Sequence, residues 1–319
     1  MLVAGAPVES KRADSSKVGY LISSFLGNVP SVYQYLSNGN DALSFRALNG
    51  GNPILNPTVG TKGARDPYLA AKDGKYYMLA TDLDIGKTNF GEAQRVGSRS
   101  IIIWESDDLV NWSSDRLAEL ETPEAGYVWA PSAYCEPGAS ECIVFWSSRF
   151  YASSDTEHTG DVVKASTIRY SRTSDFVTFS TPADYIPTQP WGMIDQEFQK
   201  LEDGGFARFI KNNTANNVWW ETTSDNNILS PTWTFHGLVT PDVREGPASY
   251  ADNLTPGLVH LLLDNYSGQG SYEVYGTSDI QTGPWSKPDA PNFPYGQRHG
   301  SVLPLSQEQY DALAAKYPA

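Results

Sequence analysis

The chain has 319 residues, 12% of them aromatic, and carries a formal net charge of −14. That charge argues against phosphate backbones and anionic membranes as partners, which both call for clustered Lys and Arg, and it fits a soluble protein that meets a neutral ligand. Charged residues at 19% are too few for a disordered chain, and no run of about 20 apolar residues is present to span a bilayer.

The elements run as follows. Residues 1–17 (MLVAGAPVESKRADSSK) are too short and too weakly apolar for a complete secretion signal. Two readings stay open for this leader: the trimmed tail of a signal with a pro-segment cut at Lys11-Arg12, or an ordinary disordered start. From residue 18 onward short β-rich runs alternate with Gly, Pro, Asn and Asp turns. GYLISSFLG and SVYQYLSNGNDALSFRAL form a first, weak unit. KYYMLATDL and SIIIWESDDLVNWS form the next. CIVFWSSRF with STIRYSRTSDFVTFS, GFARFIKN with NVWWETTSDNNILSPTWTF, and GLVHLLLDNY with SYEVYGTSDIQTGPWS complete the series. Each unit closes on an Asp turn and an aromatic residue, at Phe45, Trp112, Phe179, Trp233 and Trp285. Five such copies at a spacing of about 50–65 residues predict an all-β, five-bladed β-propeller, one four-stranded blade per copy. The tail from Ser306 reads as a short C-terminal helix, with Ser306 as its cap and Tyr310 and Leu313 on one face. No composition shift divides residues 18–319, which are read as one domain.

Cys135 and Cys142 flank Pro137, Gly138 and Ser140, so two strands joined by a turn would set the thiols side by side. A disulfide is expected, two free thiols being the alternative. Asn111, Asn212, Asn253 and Asn265 head N-glycosylation triplets. Secretion is the matching expectation.

In a propeller the innermost strands all run the same way, so their starts ring one mouth of the central channel. The corresponding segments are Ala64-Arg65-Asp66-Pro67, Trp129-Ala130-Pro131-Ser132, Met193-Ile194-Asp195-Gln196 and Arg244-Glu245-Gly246-Pro247. A final apolar run after Arg298-His299-Gly300-Ser301 is expected to close the ring at the same mouth. Any one of these acids reads as a turn residue. Asp66, Asp195 and Glu245 at one phase of a repeat read as a site, since like charges held together are costly. Glycosidic hydrolysis needs such a set: an acid for the leaving oxygen and a carboxylate for water or the anomeric carbon. A third acid orients the donor and holds its proton. Trp129 and Trp191 are either sugar platforms or blade packing.

These segments together resemble glycoside hydrolase family 43 over residues 18–313. The resemblance implies an inverting five-bladed enzyme with Asp66 as general base, Asp195 as pKa modulator and Glu245 as general acid. It also implies Arg298 at the substrate; Arg65, Trp129, Ser132, Trp191 and His299 are the further candidates for substrate contact. His299 matches the axial histidine near a bound calcium or water cluster in some members, so a structural Ca²⁺ in the channel is an expectation, with no cofactor required. Many relatives carry an acid where this chain has Ser132, which bears on the sugar rather than on cleavage. RDPYL and RHGSVLPLSQEQY look most like the arabinofuranosidase branch, with β-xylosidase and exo-galactan activity as rivals and a non-catalytic sugar-binding propeller as the reading from another class. The expected partner is plant cell-wall polysaccharide or oligosaccharide, met by a monomer, without nucleic acid or membrane. Residues 150–166 are the longest polar loop and the expected wall of an exo-acting pocket.

Overall fold

The computed structural model describes residues 16–27, 29–268 and 270–318; nearly all of the leader lies outside them. The first sheet comprises β1 (Gly19–Leu26), β2 (Val29–Ser37) and β3 (Phe45–Ala47). The second holds β4 (Ala64–Lys72), β5 (Lys75–Asp82), β6 (Ser100–Ser106) and β7 (Arg116–Glu119), with a helix α1 (Phe90–Val96) between β5 and β6. The third is β8 (Trp129–Cys135), β9 (Cys142–Phe150), β10 (Lys164–Thr173) and β11 (Ala183–Asp184). The fourth is β12 (Met193–Lys200), β13 (Phe206–Asn212), β14 (Asn217–Thr223) and β15 (Thr234–Leu238). The fifth is β16 (Glu245–Ala251), β17 (Val259–Asp264) and β18 (Tyr272–Thr277). Then β19 (Gln297–Leu305) returns to pair antiparallel with β1 as the innermost strand of the first sheet, and α2 (Gln307–Lys316) follows. The result is a five-bladed propeller. Its fifth blade has three strands rather than the expected four, the outer position being reduced to one bridge between Gly276 and Ser286.

The core is distributed. Five apolar clusters fill the gaps between neighbouring sheets. This explains why the middle strands read as unbroken apolar runs. In β6, alternation sends Ile102 toward the first blade and Ile101 and Ile103 toward the third, and all are fully buried. The C-terminal helix forms as the sequence predicts. Ser306 and Gln309 make a reciprocal capping box, and Leu313 is buried against the first gap. Helix α1 escapes sequence reading because seven residues are too few to show a period; Asn89 caps it by accepting from the Glu92 N–H at 3.0 Å. Cys135 and Cys142 face each other across the β8–β9 hairpin and are disulfide-bonded. Of the glycosylation triplets, Asn253 is buried and its amide donates to Asn40 at 2.7 Å, so the folded chain does not offer it. Among the described residues no helix is long and apolar enough to cross a membrane.

Candidate active site

The innermost strands β4, β8, β12, β16 and β19 contact one another in a closed ring. Four of them carry a β-bulge at the same level, where the antiparallel register slips between Arg65 and Tyr68, Trp129 and Ser132, Ile194 and Gln196, and Glu245 and Ala248. The bulged residues Asp66, Ala130, Asp195 and Gly246 all have left-handed backbone, with φ of 50°, 50°, 52° and 56°. Three of them pay the steric cost of a Cβ at positive φ, an observed strain of the kind found where geometry serves a site. Gly246 has a second reason to lack a side chain, since a Cβ there would lie 2.7 Å from the His299 Cβ. The bulges turn Asp66 and Asp195 toward one mouth, where Glu245, Arg298 and His299 also converge around a cavity of about 410 Å³. That volume falls in the range of small-ligand sites.

Asp66 is held from both sides. The Thr81 hydroxyl donates to Oδ2 at 2.8 Å, and His299 Nδ1 lies 3.4 Å from Oδ1. Burial acts to raise this carboxyl, but His299, Arg65 and Thr81 together outweigh it and hold it below the usual Asp value. His299 shows the reciprocal effect: burial would lower the imidazole, yet Asp66, Asp195 and Asp264 raise it to about 9, so it is an imidazolium at neutral pH. Asp195 behaves in the opposite way to Asp66. Burial first, then the charges of Glu245 and Asp66, push it up to about 6 against the opposing pull of His299 and Lys211. Its Oδ2 accepts the Gly246 N–H at 3.1 Å. Glu245 faces two cations, Lys211 Nζ at 2.5 Å from Oε2 and Arg298 Nη2 at 3.5 Å from Oε1. Arg298 is itself anchored, its Nε donating at 2.6 Å to the fully buried Asp264.

Of the sequence-predicted residues, Asp66, Asp195, Glu245, Arg298, His299, Arg65 and Trp129 all line the cavity. Arg65 lies over the Phe25 ring at 4.3 Å, and Trp129 is backed by Tyr127 at 4.2 Å. Three expected positions lie off this cavity. Trp191 packs edge-on to Trp219 at 4.6 Å in the gap between the third and fourth blades and is not on the cavity. Ser132 is buried just below the β8 bulge, away from the cavity lining. The 150–166 loop is also absent from the cavity. It braces the back of α1, where Arg95 donates to the carbonyls of His158 and Gly160 at 2.7 and 2.9 Å. The wall on that side is α1 itself, through Phe90 and Gln94. Sequence reading missed these two, together with Lys211, Asn213, Asn216 and Tyr266 on the opposite wall. All six stand on second strands, loops or the short helix, where the repeat phase carries no signal.

His299 presents Nδ1 to Asp66 Oδ1 at 3.4 Å, and among the described residues no group of three or more His, Cys, Asp or Glu side chains is arranged to hold a metal ion.

A sequence profile described as "Probable glycosyl hydrolase domain", of the family 43-related group, matches residues 16–311. The chain belongs to this family of glycoside hydrolases. It is 34% identical over 187 residues to an alpha-L-arabinofuranosidase of Bifidobacterium longum subsp. longum; the match covers 54% of this chain and spans 17% of the relative's length. In structure it is similar to a thermostable family 43 glycoside hydrolase, at 16% identity and a TM-score of 0.51, over 76% of this chain and 77% of that one. The catalytic domain of a family 62 alpha-L-arabinofuranosidase from Coprinopsis cinerea gives 14% and 0.51, over 78% and 77%. A family 43 beta-1,3-galactosidase gives 12% and 0.51, over 76% and 78%. At such identities these structures speak for the fold alone.

Proposed function

We propose that this protein is a secreted, monomeric, inverting exo-glycosidase that releases terminal α-L-arabinofuranose from plant cell-wall polysaccharide side chains. One observation carries the hydrolytic reading: Asp66, Asp195 and Glu245 converge on one cavity, in surroundings that hold Asp66 below the usual Asp value and push Asp195 up to about 6. Environments that push two acids apart in this way assign a base and a proton source. Asp66 takes a proton from water as it attacks the anomeric carbon. Glu245 gives a proton to the leaving oxygen, and Asp195 beside it orients it and stores the proton. Asp66 and Glu245 stand on strands that are not neighbours in the ring, since β19 separates β4 from β16 on the short side. Such spacing suits inversion, which needs room for a water between its two acids, at about 6.5–9.5 Å. The arabinose assignment is supported by the arabinofuranosidase relative, 34% identical over 187 residues.

A screen on aryl α-L-arabinofuranoside, β-D-xyloside and β-D-galactoside tests the reading, with proton NMR of the first sugar released. Arabinose released with inverted configuration is expected. Preferential release of xylose or galactose would replace the sugar, and retention would replace the mechanism. Binding of arabinan without release of any sugar would make the propeller a binding module.

A further inference from the structure

Three amides line the cavity, Gln94, Asn213 and Asn216. Asn216 is spent inside the protein: its Oδ1 accepts the Tyr266 hydroxyl at 2.9 Å, and its Nδ2 donates to the Thr214 carbonyl at 3.4 Å. The side chains of Gln94 and Asn213 have no hydrogen-bond partner among the described residues. Each therefore keeps two donors and a carbonyl oxygen unspent at the pocket, and a sugar hydroxyl, which both donates and accepts, is the complement of such a group. The two amides stand on opposite walls. Gln94 lies on α1, one turn after Phe90 and on the Asp66 side. Asn213 follows directly on β13, two residues beyond Lys211, whose Nζ holds Glu245 at 2.5 Å. Its backbone N–H donates to the Gly192 carbonyl at 3.1 Å, which carries the β12–β13 pairing one step further and fixes where the residue stands. Side chains two apart on a strand share a face. Asn213 thus continues the Glu245 wall toward the opening, about 7 Å beyond Lys211.

We propose that Asn213 is a specificity-determining residue that hydrogen-bonds a hydroxyl of the leaving sugar, so that the site favours a carbohydrate leaving group over an aryl one. This rests on the acid and base roles given above. Glu245 protonates the glycosidic oxygen, so the leaving sugar extends along the Glu245 wall, where Asn213 stands. The terminal sugar lies between Glu245 and Asp66, within reach of the opposite wall. Gln94 is then a contact of the terminal sugar, which every substrate presents. An aryl group has no hydroxyl to offer Asn213, whereas a second sugar has several.

Kinetics on two substrates with the same terminal sugar decide the matter: the aryl glycoside that is cleaved best, and a disaccharide in which a second sugar replaces the aryl group. For N213A, kcat/KM on the disaccharide is expected to fall about three- to tenfold further than on the aryl glycoside, the usual effect of losing one hydrogen bond. Q94A is expected to lower both substrates alike. N213S serves in place of N213A should the latter fail to fold. An equal loss on both substrates in the Asn213 variant, or no loss on either, overturns the proposal. If wild type cleaves no glycoside, calorimetry with the disaccharides and monosaccharides of arabinose, xylose and galactose takes the place of kinetics. A disaccharide weakened more than its monosaccharide by N213A keeps Asn213 as the contact of the second sugar, and the hydrolase reading falls alone. Equal weakening, or a wild type that binds none of these sugars, overturns the proposal as well.

Discussion

Asp66 and Asp195 occupy the same bulge in two inner strands, with φ of 50° and 52°, and hold their protons in opposite ways. Asp66 meets an imidazolium, a guanidinium and a hydroxyl, which keep it ionised despite burial. Burial, with the charges of Glu245 on the neighbouring strand and of Asp66, pushes Asp195 up to about 6 against the pull of His299 and Lys211. The walls differ to match. The β4 side is aromatic and apolar, with Leu83, Ile85, Phe90 and Trp129, and the β12–β16 side is polar, with Lys211, Asn213, Asn216 and Tyr266. Identical backbone geometry thus carries a carboxyl held low on one flank and a carboxyl pushed up on the other, because protonation is set by the neighbours a strand faces rather than by the strand.

The sharpest way to break this comparison is Asp66→Asn, which removes the ionised partner. Hydrolysis of the aryl arabinofuranoside should fall by about 10³–10⁴-fold, while calorimetric binding of the sugar survives. Activity within tenfold of wild type would remove Asp66 from the base role. Glu245→Gln should cost about 10²–10³-fold on a poor leaving group, and much of that should return with a dinitrophenyl glycoside, which needs no proton. The pH profile comes next. Asp195 loses its proton as pH rises through about 6, so the rate should fall on that side. Asp66 stays ionised until pH drops below the ordinary 3.8, so the acid limb should lie lower still. Asp195→Asn should abolish the limb near 6 and leave the lower one in place. The smallest effect is expected for Phe90→Ala on the aromatic wall. Loss of a half-exposed ring of 50% accessibility should cost about 1 kcal/mol of sugar binding, or roughly fivefold in KM, without change in the pH limbs.

The propeller and most of the candidate residues were legible because both follow from phase. A strand that starts a blade must start at the mouth, so Asp66, Asp195, Glu245, Arg298 and His299 could be gathered from distant parts of the chain by position within a repeat. The same reasoning could not reach Lys211. In GFARFIKN it looks like any alternating polar residue of a second strand, and its burial depends on a carboxylate 34 positions away. Nor does phase say which way an aromatic ring turns. Trp129 opens β8 and Trp191 lies two residues before β12, and one lines the cavity while the other fills a gap between blades. Ser132 shows the remaining limit. A one-residue bulge moves every side chain below it to a new direction, and bulges leave little trace in a single sequence.

The strand β19 supplies Arg298 and His299 while closing the ring against β1. Synthesis from the N-terminus therefore delivers Asp66, Asp195 and Glu245 well before the two cations that hold Asp66 ionised and face Glu245. A nascent chain lacking residues 297–305 has both an unpaired inner edge on its first blade and a mouth that holds Arg65 and Lys211 but lacks Arg298 and His299. Ring closure and charge balance are then a single event, and a half-made propeller has no means of being half active.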